Sequence, residues 1–106
     1  MQMYKSGTIK HFLKINNHKV IAMAGAFIKN DIPYCYYKDY KYGFIGDVYV
    51  KPEYRQKGFA TNLSKACLSW FKENNINTVR LLSSENAKSI FSKIGFIPTD
   101  EMVIKI

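Results

Sequence analysis

A short basic loop that leads into a helix is the stretch of this sequence best suited to chemistry. Lys51, Arg55 and Lys57 precede Gly58, and an amphipathic helix follows. The first N–H groups of a helix have no partner within it, and the helix dipole adds positive charge there, so this junction can hold an anion such as a pyrophosphate. Thr61 would add a hydroxyl in the first turn. An ordinary capped strand-to-helix junction has the same features, so both interpretations stand.

The loop needs a strand before it and a helix after it, and the residue pattern predicts both. Residues 47–50 alternate as a half-buried strand does, Pro52 ends the ladder, and apolar residues at the helical period predict a helix from Gly58 to about Asn74. The remaining pattern predicts strands at 11–15 and 19–28 with a turn at 16–17, a loop at 30–43, a strand at 78–82, a short helix between Ser84 and Gly95, and a final pair of strands.

Length and composition predict one folded domain over residues 1–106. A chain of 106 residues buries roughly two-thirds of its unfolded surface, and 47% hydrophobic with 15% aromatic residues exclude disorder. No apolar run approaches the roughly 20 residues needed to cross a bilayer. Lys5, Lys10, His11 and Lys14 interrupt any signal-peptide core. We therefore expect a cytoplasmic protein with no membrane partner.

The formal charge of +8 fits either an anion-binding enzyme or a nucleic-acid-binding module. The lysines are spread along the chain, which disfavours nucleic acid, although the tyrosines of residues 34–42 could stack on bases or hold a cationic amine. Cys35 and Cys67 have no metal-type spacing to each other or to His11 and His18, so no metal is expected. Cys67 fits the apolar stripe of the helix as a core residue.

Two sequence blocks resemble the GNAT-type N-acetyltransferases. Arg-Gln-Lys-Gly-Phe-Ala at residues 55–60 matches the family's Arg/Gln-x-x-Gly-x-Gly/Ala signature, and the Val-Tyr-Val-x-Pro-Glu-Tyr run typical of the family precedes it at residues 48–54. The second block, Leu-Ser-Ser at 82–84 followed by Ile-Gly-Phe at 94–96, is similar to the family's other coenzyme-contacting segment. The resemblance runs from about Thr8 to Ile106.

This resemblance implies an α/β (α+β) fold, with a mixed, mostly antiparallel twisted sheet flanked by two helices in the order β-β-β-α-β-α-β-β. Family members usually begin with a further strand and one or two helices, and here only residues 1–7 precede the stretch that resembles the family core. The chain is therefore similar to a short member of the family. We expect a second copy to supply the missing cover, as a homodimer.

The resemblance also implies the reaction, in which an acetyl group moves from acetyl-coenzyme A to a primary amine by direct attack in a ternary complex. The strand at 48–50 would pair with the pantetheine arm, and the N–H groups of residues 56–61 would hold the pyrophosphate. The residues implied to contact the coenzyme are Val48, Val50, Arg55, Gln56, Lys57, Gly58, Phe59, Ala60, Thr61, Asn62, Ser84, Asn86 and Phe91. For Ser84 and Asn86, helix capping is an equally good interpretation.

The catalytic groups are less clear from the family pattern. Asp47 is the best-placed carboxylate to take the proton of the amine, directly or, like Glu53, through water. Many relatives place a tyrosine acid where this chain has Phe91, and Tyr49 is the replacement that we consider. Two alternatives stay open, a catalytically degenerate module that binds acetyl-coenzyme A or a partner, and a basic domain that binds nucleic acid. The identity of the acceptor stays open as well.

Overall fold

A four-stranded sheet carries the candidate site. The computed structural model describes residues 8–30, 41–99 and 102–106, without the Asn86 side chain. The described elements are β1 (Ile9–Asn16), β2 (Lys19–Asn30), β3 (Lys41–Val50), α1 (Phe59–Glu73), β4 (Val79–Leu81) and α2 (Lys88–Ile94), with 3-10 turns at Pro52–Tyr54 and Glu85–Ala87. The strands lie in sequence order, the first three antiparallel and β4 parallel to β3. The predicted mixed, mostly antiparallel sheet with two helices is confirmed.

A tight turn joins β1 to β2. Asn17 and His18 both have positive φ, at 50° and 63°. Two successive residues of this kind give the turn whose twist matches that of the strands on either side. The turn lies one residue later than the sequence predicted, and the hairpin itself is confirmed.

Helix α1 packs on one face of the sheet because that face is lined by small residues. Ala22, Ala24 and Ala26 are fully buried beneath it. A Cβ at Gly43 would lie 2.7 Å from Cε1 of Phe71, so only glycine admits that ring. No helix in the described ranges has the length and apolar character to span a membrane.

Strand β3 is longer than predicted. It begins at Lys41, whereas the sequence predicted a loop through Gly43 and a strand only from Asp47. Its first half pairs with β2, where Phe44 lies opposite Phe27. Aromatic pairs of this kind favour a strand, which outweighs the turn signals nearby. The rest of the predicted loop, with Cys35 and the tyrosines at 34–40, lies outside the described residues.

The predicted final pair of strands is wrong for the residues that the structure describes. Residues 96–99 and 102–106 form no strand, and the side chains of Met102, Ile104 and Ile106 are exposed. A strand needs a partner backbone, and the adjacent β4 is only three residues long. Pro98 has no N–H to give, and an isolated two-stranded hairpin is marginally stable at best. The alternation of apolar residues was therefore not enough to make this segment a strand.

Candidate functional site

A β-bulge bends β3 at the residue predicted to take a proton. The ladder between β2 and β3 shifts register between Met23 and Gly25, so that Asp47 and Val48 together face Ala24. Asp47 has a φ of 52°, the left-handed conformation that aspartate tolerates better than most residues. A bulge leaves its extra residue outside the ladder and re-aims that side chain. The Asp47 carboxylate can thus turn toward β1.

Beyond Ile45 the strands β3 and β4 part. Their parallel ladder ends at the pair Ile45 and Leu81, while β3 continues for five more residues to Val50. A cavity of about 380 Å³ opens in the gap, between β3, the start of α1 and the segment that leads into α2. The predicted site residues that line this cavity are Asp47, Val48, Ala60, Ser84 and Phe91.

His11 lies beside Asp47, a juxtaposition that the sequence analysis missed. The Nε2 atom of His11 lies 3.3 Å from Oδ2 of Asp47. His11 pairs with Gly25 on β2, which in turn pairs with Gly46 next to Asp47. A Cβ at Gly25 would come within 3.0 Å of His11 Nε2. Glycine at this position therefore lets the imidazole extend across β2 to the carboxylate.

The His11 and Asp47 side chains are both accessible from solution. The His11 side chain is 25% exposed, and that of Asp47 is 58% exposed, so water and solutes reach both. The His11 and Phe27 rings pack in a T-shaped arrangement, with centroids 5.6 Å apart and planes at 89°. When Nε2 donates to a carboxylate, the other ring nitrogen is the basic one, and the carboxylate stabilises the charged imidazolium.

The loop before α1 has the shape of an anion site. Gln56 and Gly58 have φ of 61° and 83°, and alternating conformations of this kind point backbone N–H groups into one concavity. None of the described side chains caps the helix, whose first hydrogen bond runs from the Asn62 N–H to the Gly58 carbonyl. No atom in the described part of the chain lies within 4 Å of a Cβ built on Gly58. The N–H groups of the first turn are thus open to a ligand.

Cations and rings surround this loop. The Arg55 Nε donates to the Val50 carbonyl at 2.9 Å, which ties the loop to the end of β3. Lys14 of β1, which the sequence analysis did not place near this loop, has its Nζ 5.8 Å from the centroid of the Phe59 ring. Lys57, Thr61 and Asn62 belong to the same loop and first turn. The positive charge predicted for this junction is therefore increased by a residue from a distant part of the chain.

The second sequence block forms the far wall of the cavity. Ser84 precedes the 3-10 turn but makes no side-chain capping bond, and Gly95 ends α2 with a φ of 125°. The Phe91 ring is buried against Phe96, with centroids 5.8 Å apart, and has no proton to give. Tyr49 is half exposed and is absent from the described residues that line the cavity.

The described residues offer no gathered metal ligands. No group of three histidine, cysteine, aspartate or glutamate side chains comes together among them. Burial raises the pKa of the Cys67 thiol to about 11, against a smaller opposing effect of a backbone hydrogen bond. Such a thiol stays protonated at neutral pH and is not a nucleophile. Cys67 is a core residue, as predicted.

Solved structures of acetyltransferases share this fold. A predicted acetyltransferase from Clostridium acetobutylicum, crystallised with acetyl-CoA, is 25% identical over 99% of this chain and 68% of its own, with a TM-score of 0.89. A GCN5-related N-acetyltransferase from Ralstonia eutropha is 23% identical over 99% and 69%, with a TM-score of 0.89. An aminoglycoside antibiotic 6'-N-acetyltransferase from Acinetobacter haemolyticus is 23% identical over 99% and 74%, with a TM-score of 0.80.

The sequence itself also identifies the family. No curated protein sequence matches the chain. The family model described as acetyltransferase (GNAT) family matches residues 3–96, most of the chain and both of the motif blocks. The chain therefore belongs to the GNAT acetyltransferase family.

Proposed function

We propose that this chain transfers the acetyl group of acetyl-CoA to a primary amine by direct attack in a ternary complex. The observation that carries the proposal is the cavity in the gap between β3 and β4, which has the open start of α1 on one side and the bulge with Asp47 on another. A cosubstrate bound there would have its phosphates at a positive helix end and its reactive group beside a proton acceptor. Small-molecule amines are the acceptor class that we favour, since the similar Acinetobacter enzyme acts on an aminoglycoside.

The residues present fit acetyl-CoA. The space above Gly58 and the uncapped N–H groups of residues 59–61 suit a pyrophosphate, and Lys51, Lys57 and Lys14 add charge that a polyanion would neutralise. The edge of β3 that β4 leaves open at residues 48–50 suits the amide-rich pantetheine arm. Contacts from Asn62, Ser84 and Asn86 belong to the same proposal. When bound, acetyl-CoA supplies the thioester that the amine nitrogen attacks as the carbon–sulfur bond breaks.

We assign proton removal to His11 together with Asp47. An alkylamine with a pKa of about 10.4 is almost wholly charged at pH 7, so a base near neutral pH is needed. An imidazole is the side chain whose ordinary chemistry allows proton transfer near neutral pH. The His11 Nε2 atom lies 3.3 Å from Asp47 Oδ2, so the carboxylate can orient the ring. Glu53 acting through water is the alternative that we keep.

The leaving thiolate has no acid in the position that many relatives use. Phe91 lines the cavity there and carries no exchangeable proton. A thiol has an ordinary pKa of about 8.5, so its anion can leave and take a proton from water. Tyr49 remains a proposed acid. Phe91 also favours the second candidate function, a catalytically degenerate module that binds acetyl-CoA without turnover.

A homodimer in the cytoplasm completes the proposal. Leu13 and Tyr49 both lie opposite Met23, and they are 48% and 49% exposed, so an apolar row crosses three strands next to His11. A second copy that covers this row would restrict access to the site. Sedimentation at micromolar concentration should give a dimer, and a monomer would remove this part of the proposal.

Titration of the purified chain with acetyl-CoA and with desulfo-CoA, followed in the same sample by thiol release, tests the function. We expect micromolar binding of both ligands, and thiol release from acetyl-CoA that increases when amines are added. Binding without release under any amine would favour the degenerate module. Absence of binding would contradict the assignment of the coenzyme site.

A further inference from the structure

A second cavity lies on the sheet next to the proposed coenzyme site. Its volume is about 270 Å³, and Leu81 and Leu82 line both cavities. The wall of this second cavity also includes Lys29 of β2, Tyr42 and Phe44 of β3, and Arg80 of β4. The family motifs do not include any of these four residues.

These four side chains form a compact cluster across three neighbouring strands. Lys29 pairs with Tyr42, and Phe44 pairs with Arg80. Each cation lies over the ring that is diagonal to it on β3. Lys29 Nζ lies 4.4 Å from the centroid of the Phe44 ring, and the guanidinium carbon of Arg80 lies 3.5 Å from the centroid of the Tyr42 ring. Stacking of this kind holds the positive groups in defined positions.

This arrangement places the ammonium group of Lys29 at a concave part of the surface. None of the described residues that line the cavity is acidic. A concave, partly apolar wall strengthens the attraction of such a charge for an anion. Lys29 is exposed, so a solute can reach its ammonium group beside the Phe44 ring.

The cavity shares its face of the sheet with the proposed proton acceptor. Residues two apart on a strand point the same way, so Phe44 lies on the face of Gly46, whose ladder partner Gly25 is crossed by the His11 ring. Asp47 follows Phe44 by three residues, a span of roughly 10 Å along β3. One extended molecule could reach both places.

We propose that this cavity binds an anionic group carried by the amine acceptor. The acceptor class is then a primary amine with a carboxylate or a phosphate at a distance of roughly 7 to 10 Å from its nitrogen. This inference rests on the proposed function, because it names the substrate class of the same site. Lys29 is the specificity residue, and the guanidinium of Arg80, stacked on Tyr42, adds a planar wall.

A set of amines with the same six-carbon chain tests the inference. Thiol release would give kcat/KM for hexylamine, aminohexanoate, aminohexyl phosphate and diaminohexane at one salt concentration. We expect the two anionic amines to exceed hexylamine by about threefold to tenfold, the range of a partly exposed charge pair, and the diamine to fall below it. Added salt should narrow the difference. The comparison of carboxylate with phosphate identifies which anion the cavity prefers.

Charge reversal at Lys29 separates recognition from folding. Lys29→Glu should invert the preference, so that diaminohexane exceeds aminohexanoate when kcat/KM for each is divided by that for hexylamine in the same variant. Lys10→Glu is the matched control, since Lys10 is also an exposed strand lysine above a ring, 6.0 Å from the Phe12 centroid. The control should keep the wild-type preference.

Two results would overturn the inference while the proposed function stood. One is equal kcat/KM of wild type for hexylamine and for both anionic amines, and the other is the same change of preference in Lys10→Glu as in Lys29→Glu. If no amine is acetylated, the proposed function has failed, and titration with aminohexanoate decides the inference alone. Weaker binding by Lys29→Glu than by Lys10→Glu would support it, and equal binding would overturn it.

Discussion

A single methyl group added at Gly25 should separate His11 from Asp47. The new Cβ of Gly25→Ala would lie 3.0 Å from His11 Nε2 and 2.8 Å from Cε2 of Phe27, whereas ordinary contacts begin at 3.4 Å. The imidazole must therefore withdraw by a few tenths of an ångström. Its distance to Asp47 Oδ2 is already 3.3 Å, close to the limit of a hydrogen bond. A small displacement is enough to break the pair.

Gly25→Ala should lower the rate of amine acetylation and leave coenzyme binding unchanged. A positioned general base contributes typically about 10² to 10⁴ in rate, so partial displacement should lower kcat/KM for the amine by about tenfold to hundredfold. The affinity for acetyl-CoA should be unchanged, because Gly25 is remote in the ladder from the loop at Gly58. Crowding at Gly25 should cost about 1 kcal/mol of unfolding free energy.

A double-mutant cycle shows whether Gly25 acts through His11. Thiol release would be measured for wild type, Gly25→Ala, His11→Asn and the double variant, each at saturating acetyl-CoA. We expect His11→Asn to lose about a hundredfold, and the double variant to lose no more than His11→Asn alone. Losses that multiply, or a Gly25→Ala enzyme with the full wild-type rate, would refute the reasoning about this pair.

Three further predictions concern the helix end, the cavity wall and the core. Gly58→Glu should weaken acetyl-CoA binding at least about a hundredfold by placing a carboxylate in the proposed anion site, and an affinity equal to that of wild type in a calorimetric titration would contradict the site. Phe91→Tyr should raise turnover about tenfold by supplying a general acid, and no gain would mean that another acid, or none, is used. The pKa of the Cys67 thiol is 9.0 in the unfolded chain and about 11 in the folded chain. Between these two pH values the unfolded state binds fewer protons than the folded state. The free energy of unfolding should therefore fall as the pH rises through this window, by up to about 2 to 3 kcal/mol. Cys67→Ala should flatten this part of a denaturation series across pH, and an identical slope in both proteins would contradict it.

Elements with strong local signals were predictable from the sequence. The helical period after Gly58 predicted α1 to within a residue of its observed end at Glu73, because its apolar stripe and the open glycine are local properties. The same holds for the β1–β2 hairpin. The last strand failed because alternation records only that a face is apolar. Whether residues 102–106 have a partner strand depends on the length of β4, and the sequence of residues 102–106 does not contain that information.

The position of the basic loop before α1 was predictable from the sequence, and the contact between His11 and Asp47 was only half predictable. Asp47 stood out because it precedes the loop by a few residues. His11 lies 36 residues earlier, and its contact with Asp47 depends on a bulge in β3 and on a missing side chain at Gly25. Cross-strand register decides such contacts, and single-sequence patterns do not fix it. A glycine inside a strand was the one available signal, since it often marks close approach by another group.

The most direct test of the account is to measure acetylated amine and free thiol together in one reaction of the purified chain with acetyl-CoA and a primary amine. The account predicts one acetylated amine for each thiol released, a rate that falls about a hundredfold in His11→Asn, and coenzyme affinity that does not change in that variant. Thiol release without acetylated amine would contradict it, as would coenzyme binding with no release at all.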